Sequence, residues 1–131
     1  VRWFLHGEAG VEVREALARH GHQCMELPES AGLSSDQLIA LLHRRQLDLL
    51  TTDEALVGRL FEVPVRYDRS VVLIQAGTGA IEQTDAVERL FERYKRLTPG
   101  RLYTISPGRV KVRQLPKPAA GGGKARSNDV R

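Results

Sequence analysis

Apolar residues in this chain fall into short runs alternating with stretches of helical repeat. The run Val1–Leu5, broken by Arg2, reads as a buried first strand that stops at His6-Gly7-Glu8. From Val11 to His20, the apolar positions Val13, Ala16 and Leu17 share one helical face. Acidic Glu12 and Glu15 come early and Arg19 and His20 late, as the helix dipole favours. Gly21 closes this helix. Gln23–Leu27 forms a second strand ended by Pro28, and Ser34 or Ser35 caps a helix from Asp36 to Arg45 that turns Leu38, Ile39, Leu41 and Leu42 inward.

Asp48–Thr51 is the third strand, and Thr52-Asp53 lead directly into a short helix reaching Leu60. Ser70–Ile74 is almost wholly apolar, the pattern of a central parallel strand covered on both faces. A helix capped at Thr84 or Asp85 carries Ala86, Val87, Leu90, Phe91, Tyr94 and Leu97, and Pro99-Gly100 stops it. The strands Arg101–Ile105 and Arg109–Leu115 flank the turn Ser106-Pro107-Gly108. Four strand–helix alternations and a final hairpin predict a three-layer α/β/α fold, with a mostly parallel central sheet and a C-terminal β-hairpin.

At 131 residues the chain has material for one domain, expected over 1–116. Charge divides it unevenly. Residues 1–106 hold 13 basic and 15 acidic side chains, whereas residues 107–131 hold 7 basic and 1 acidic. In the last strand, Lys111 and Arg113 alternate with Val110 and Val112, so one face is positive. The Gly, Pro and Ala-rich segment 117–131 is expected to be a disordered basic tail. Cys24 is the only cysteine, which leaves no intrachain disulfide and no cysteine cluster for zinc. No apolar run approaches the ~20 residues that span a bilayer, so a cytoplasmic protein with no membrane partner is expected.

Ligands of open parallel sheets bind beyond the carboxyl ends of the strands. The polar residues predicted there are His6 and Glu8 after the first strand, Thr52, Asp53 and Glu54 after the third, and Gln75 after the fourth, with Asp36 approaching from the second helix. Carboxylates converging at one end suit Mg²⁺ or Mn²⁺, hard cations that prefer oxygen ligands and can activate water at a phosphodiester. The bland alternatives are that Asp53 caps its helix, Asp36 is a first-turn residue and Glu8 is a solvated turn residue. The Gly77-Thr78-Gly79 triplet lacks the lysine of a phosphate loop.

The order of these segments resembles the small prokaryotic PIN-like domains, relatives of the PIN-domain ribonuclease toxins. The likeness is clearest over residues 2–75. Phe4-Leu5-His6-Gly7-Glu8 stands for the family's strand and Asp-Glu-Asn turn, Gly21-His22 for its Gly-His, Ser35-Asp36 for its Ser-Asp, and Leu49–Leu56 for its Thr-x-Asp-x-Asp-Phe. Two family acids are replaced: Gly7 stands where the first metal-binding aspartate is usual, and Ala55 at the second aspartate of the last motif.

The resemblance implies a Mg²⁺- or Mn²⁺-dependent endoribonuclease of toxin–antitoxin type. Its catalytic residues would be Glu8, Asp36 and Asp53, with Glu54 as a further metal ligand and His6 and Thr52 in support. Arg109, Lys111, Arg113 and Lys117 would hold RNA. The missing acids motivate the alternative, a catalytically degenerate domain that binds nucleic acid or protein. A third reading is an interaction component with an antitoxin-like partner or a homodimer. In it, Val87, Leu90, Phe91 and Tyr94 form a contact face, unless they are simply core.

Overall fold

The computed structural model describes residues 2–62, 67–75 and 79–116. The expected basic tail, with Lys117, therefore lies outside the described residues, as do Gly77 and Thr78. In chain order the elements are β1 (Arg2–His6), α1 (Val11–Arg19), β2 (Gln23–Cys24), α2 (Ser35–Arg45), β3 (Asp48–Thr51), α3 (Glu54–Glu62), β4 (Val71–Ile74), α4 (Ala80–Arg93), β5 (Arg101–Ser106) and β6 (Arg109–Gln114). They form a three-layer α/β/α fold around one sheet of order β2-β1-β3-β4-β5-β6. All neighbouring strands are parallel except the β5–β6 hairpin.

Side chains alternate across the strands and so build two cores. Leu49, Val71, Leu73 and Leu102 face α2 and α3, meeting Ile39, Leu42, Leu56 and Leu60. Trp3, Leu50, Val72, Ile74, Tyr103 and Ile105 face α1 and α4, meeting Leu17, Ala86, Val87 and Leu90. Every residue of β3 and β4 is buried, as the apolar sequence of β4 predicts for a central parallel strand; β3 is as fully covered although it begins with Asp48 and ends with Thr51.

The sequence expectations are corrected at three places, two boundaries and one surface. The second strand pairs only at Gln23–Cys24, because Leu27 turns into the α2/α3 core and Pro28 starts a single 3-10 turn. Helix α4 starts at Ala80, four residues before the expected cap. Its first turn is anchored by tertiary contact, since buried Gln83 donates its amide to the Glu8 carbonyl at 3.0 Å. Val87, Leu90 and Phe91 of the suggested contact face are buried in the core, and Tyr94 packs against Tyr103. That face is closed to a dimer partner.

Ser34 caps α2 with a full capping box: its hydroxyl accepts from the Gln37 amide and the Gln37 side chain accepts from the Ser34 amide. At the hairpin, Pro107 precedes Gly108, whose φ of 84° suits the pair to a type II turn. Among the described residues, no helix is long and apolar enough to cross a membrane.

Asp48 opens β3 only 3% exposed, accepting from the Ser70 amide at 3.0 Å and from Arg69 Nε at 3.2 Å. Burial pushes its carboxyl above the ordinary value, and these two donors offset only part of the shift. The folded chain thus holds this proton more tightly than the unfolded chain. The resulting stability is fully present below the ordinary carboxylate pKa and is lost as pH rises through the raised one. The stability of the protein relative to Asp48→Asn is therefore expected to fall as pH rises over the range above the ordinary aspartate pKa of about 4. Urea denaturation of both proteins across that range checks it, and a constant difference would contradict it.

Candidate functional site

The chain leaves β1 toward α1 and β2 on one side of the sheet, and leaves β3 toward α3 and β4 on the other. The crevice at the carboxyl ends of β1 and β3 is therefore the topological switch point, where open α/β sheets place ligands. Three hydroxyl-centred bonds tie the strand ends together there. The His6 ring shares a hydrogen bond with Thr51 Oγ1 at 2.9 Å, and the same oxygen accepts from the Asp53 amide at 2.9 Å. Thr52 Oγ1 accepts from the Glu8 amide at 2.7 Å. Sequence reading placed His6 and Thr52 at this end, and the fold brings them to it; Thr51, wholly buried, was passed over as part of the strand.

The acids are committed differently. Asp53 Oδ1 accepts from the amides of Ala55 at 2.9 Å and Leu56 at 3.3 Å, so this carboxylate caps α3. Asp36 is held in a bidentate pair along one edge of a guanidinium, with Arg59 Nε at 3.1 Å from Oδ1 and Nη2 at 2.9 Å from Oδ2. Asp36 raises the pKa of Arg59 through these bonds, helped by a further pairing with Glu62. Glu8 and Glu54 are exposed and make no ion pair with another described residue. Among the described residues, no group of three or more His, Cys, Asp or Glu side chains is gathered so that it could hold a metal ion. Two of the acids named for Mg²⁺ or Mn²⁺ are thus engaged within the protein, Asp36 by Arg59 and Asp53 by the α3 amides, while Glu8 and Glu54 face solvent.

Gly7 explains part of this. Its φ is +77°, and a Cβ built there would lie 2.6 Å from Thr52 Oγ1. The turn that lets Thr52 receive the Glu8 amide thus occupies the space an aspartate at this position would need.

A second feature lies along the sheet, on the α2/α3 face. Helix α3 covers β3 and β4 but stops short of β6, leaving a groove of about 520 Å³ between α3 and the hairpin. Arg109, Lys111 and Arg113 project into it from alternate positions of β6, opposite Ser106, Thr104 and Leu102 of β5. On the helix side, Phe61 receives the Arg113 guanidinium 4.1 Å from its ring centroid. Glu54 and Gln75 line the same groove. The alternation of β6 had marked the three basic residues; Phe61 and Arg59 were missed, although both sit on the short helix whose pattern was followed only to Leu60.

No family model matches the chain, and neither a curated protein nor a solved structure is significantly similar to it.

Two substitutions test the switch point. Gly7→Asp is expected to cost on the order of 1–3 kcal/mol in denaturant unfolding, from the left-handed backbone and the displaced Thr52 hydroxyl. Asp53→Ala is expected to cost about 0.5–2 kcal/mol through loss of the α3 cap. An unchanged unfolding midpoint in either would contradict the geometry described.

Proposed function

We propose that this domain is a degenerate PIN-like fold that binds single-stranded RNA without cleaving it, through the groove between α3 and β6. The observation that carries the reading is the row Arg109, Lys111 and Arg113 on one sheet face beside Phe61. Four residues of extended strand set these charges over ~14 Å, a track for consecutive phosphates. The stacked pair of Arg113 on Phe61 offers a flat guanidinium on which a base can lie. Glu54, at the helix side, subtracts one charge and leaves the groove cationic.

The non-cleaving half of the reading is supported by what the acids do. A cation already occupies Asp36, and helix amides occupy Asp53. For a metal or water to take their place, Asp36 would have to release Arg59, and Asp53 Oδ1 would have to release the α3 amides.

Anisotropy titration of a labelled single-stranded oligoribonucleotide against the full chain tests the proposal. Three phosphate contacts predict a log–log salt slope of about −2, falling by about 0.7 for Lys111→Ala. Loss of the stacking platform in Arg113→Ala is expected to weaken binding by about 1–3 kcal/mol. The RNA should stay intact in Mg²⁺ or Mn²⁺. Binding unaffected by Arg109→Ala, Lys111→Ala and Arg113→Ala together would overturn the groove. Metal-dependent cleavage lost in Asp53→Asn would replace this reading with the ribonuclease.

A further inference from the structure

At the opposite end of the strands lies a cavity of about 290 Å³ that the RNA groove does not use. It sits at the amino ends of β1, β3 and β4, under the loop from α4 to β5. Trp3 lines it without being exposed to solvent, and Leu97 and Pro99 add apolar wall. Three cationic side chains, Arg69, Lys95 and Arg96, line it against one acid, Asp48. Arg69 spends Nε on Asp48, and that bond does not use its terminal amino groups. Lys95 and Arg96 form no ion pair among the described residues, although carboxylates elsewhere on the surface are paired with arginines.

The loop carrying these cations is fixed in place. The Ser70 hydroxyl donates to the Thr98 carbonyl at 3.2 Å, and the Thr98 amide donates to the Tyr103 hydroxyl at 2.8 Å. His22, also lining the cavity, accepts the Trp3 indole N–H on Nδ1 at 2.9 Å. Burial lowers the His22 pKa, with His20 nearby adding to the effect, so the ring is neutral at pH 7. Because Nδ1 is an acceptor, the ring's single proton sits on Nε2, which makes Nε2 a donor.

We propose that this cavity binds a small dianionic oxyanion, a phosphate or phosphomonoester, held by Arg69, Lys95 and Arg96 over the Trp3 wall. Three cations against one internally satisfied carboxylate leave about two charges for the ligand to neutralise. The cavity's size, at the lower limit of ~300 Å³ for small-molecule pockets, admits a phosphate with a small substituent rather than a whole nucleotide chain. Multidentate donation by guanidinium groups suits tetrahedral oxyanions.

The inference is independent of the RNA reading, since it uses none of the β6 residues. It also has its own reporter, because Trp3 is the only tryptophan in the chain. Inorganic phosphate titrated into the full-length protein at pH 7.5 is expected to change Trp3 emission saturably and to shift the His22 ring resonances. Chloride at matched ionic strength should do neither. Lys95→Glu with Arg96→Glu, both on an exposed loop, should weaken the apparent affinity about tenfold or more. Arg109→Ala with Lys111→Ala should leave it unchanged. A response absent in phosphate, equal in chloride, or indifferent to the loop variants would overturn the site.

A second arm separates the sources of the anion. If a 5′-phosphorylated oligoribonucleotide reproduces the Trp3 response and its 5′-hydroxyl counterpart does not, the site takes RNA ends. If only free phosphate does so, it takes a small metabolite.

Discussion

A parallel strand has no face that can be left to water, and that constraint orders the rest of this molecule. Two helices on each side are enough to cover β1, β3 and β4, whose buried residues are apolar apart from Asp48 and Thr51. The antiparallel hairpin is not bound by the same rule. On the α1/α4 side, Tyr103, Ile105 and Val110 continue the core. On the α2/α3 side, the helical cover runs out at Phe61, and from there the sheet carries arginine and lysine. The groove is thus the place where the requirement for cover ends, and its charge is what a sheet face without cover must display.

The same economy governs the carboxyl end of the sheet. Hydroxyls of Thr51 and Thr52 satisfy the amides of Asp53 and Glu8, and the side chain of Asp53 satisfies those of Ala55 and Leu56. Polar groups that a catalytic site would hold in reserve are used here to close strand ends and start a helix. Asp36 is likewise drawn into pairing α2 with α3 through Arg59. The result is a switch point whose threonine hydroxyls are paired, with the carboxylates of Glu8 and Glu54 left at the surface.

Much of the layer order was legible in the sequence. The nearly unbroken apolar run Ser70–Ile74 marked a central strand, Asp48–Thr51 marked the third strand, and Pro107-Gly108 marked a tight turn. What escaped were features set by distant partners. Nothing local says that Gln83 would reach the Glu8 carbonyl and pull the start of α4 back to Ala80. The pairing of Asp36 with Arg59 joins residues on different helices, so the sequence showed two separate charges where the fold makes one neutral unit. The basic stripe of β6 was visible because strand alternation is local. Its stacking partner Phe61 was not, because that contact depends on where α3 ends.

Gly7 has a consequence for how this chain can be altered. The left-handed backbone and the Thr52 hydroxyl fill the volume together, so neither can be altered alone without loss. Placing an acid at this position would strain the left-handed backbone and displace the Thr52 hydroxyl, so it calls for a compensating change at Thr52. The contact makes Gly7 and Thr52 a mutually constraining pair. The uncovered strand β6 and the loop at the far end of the sheet carry no such mutual constraint, so substitutions there act on surface charge rather than on the turn.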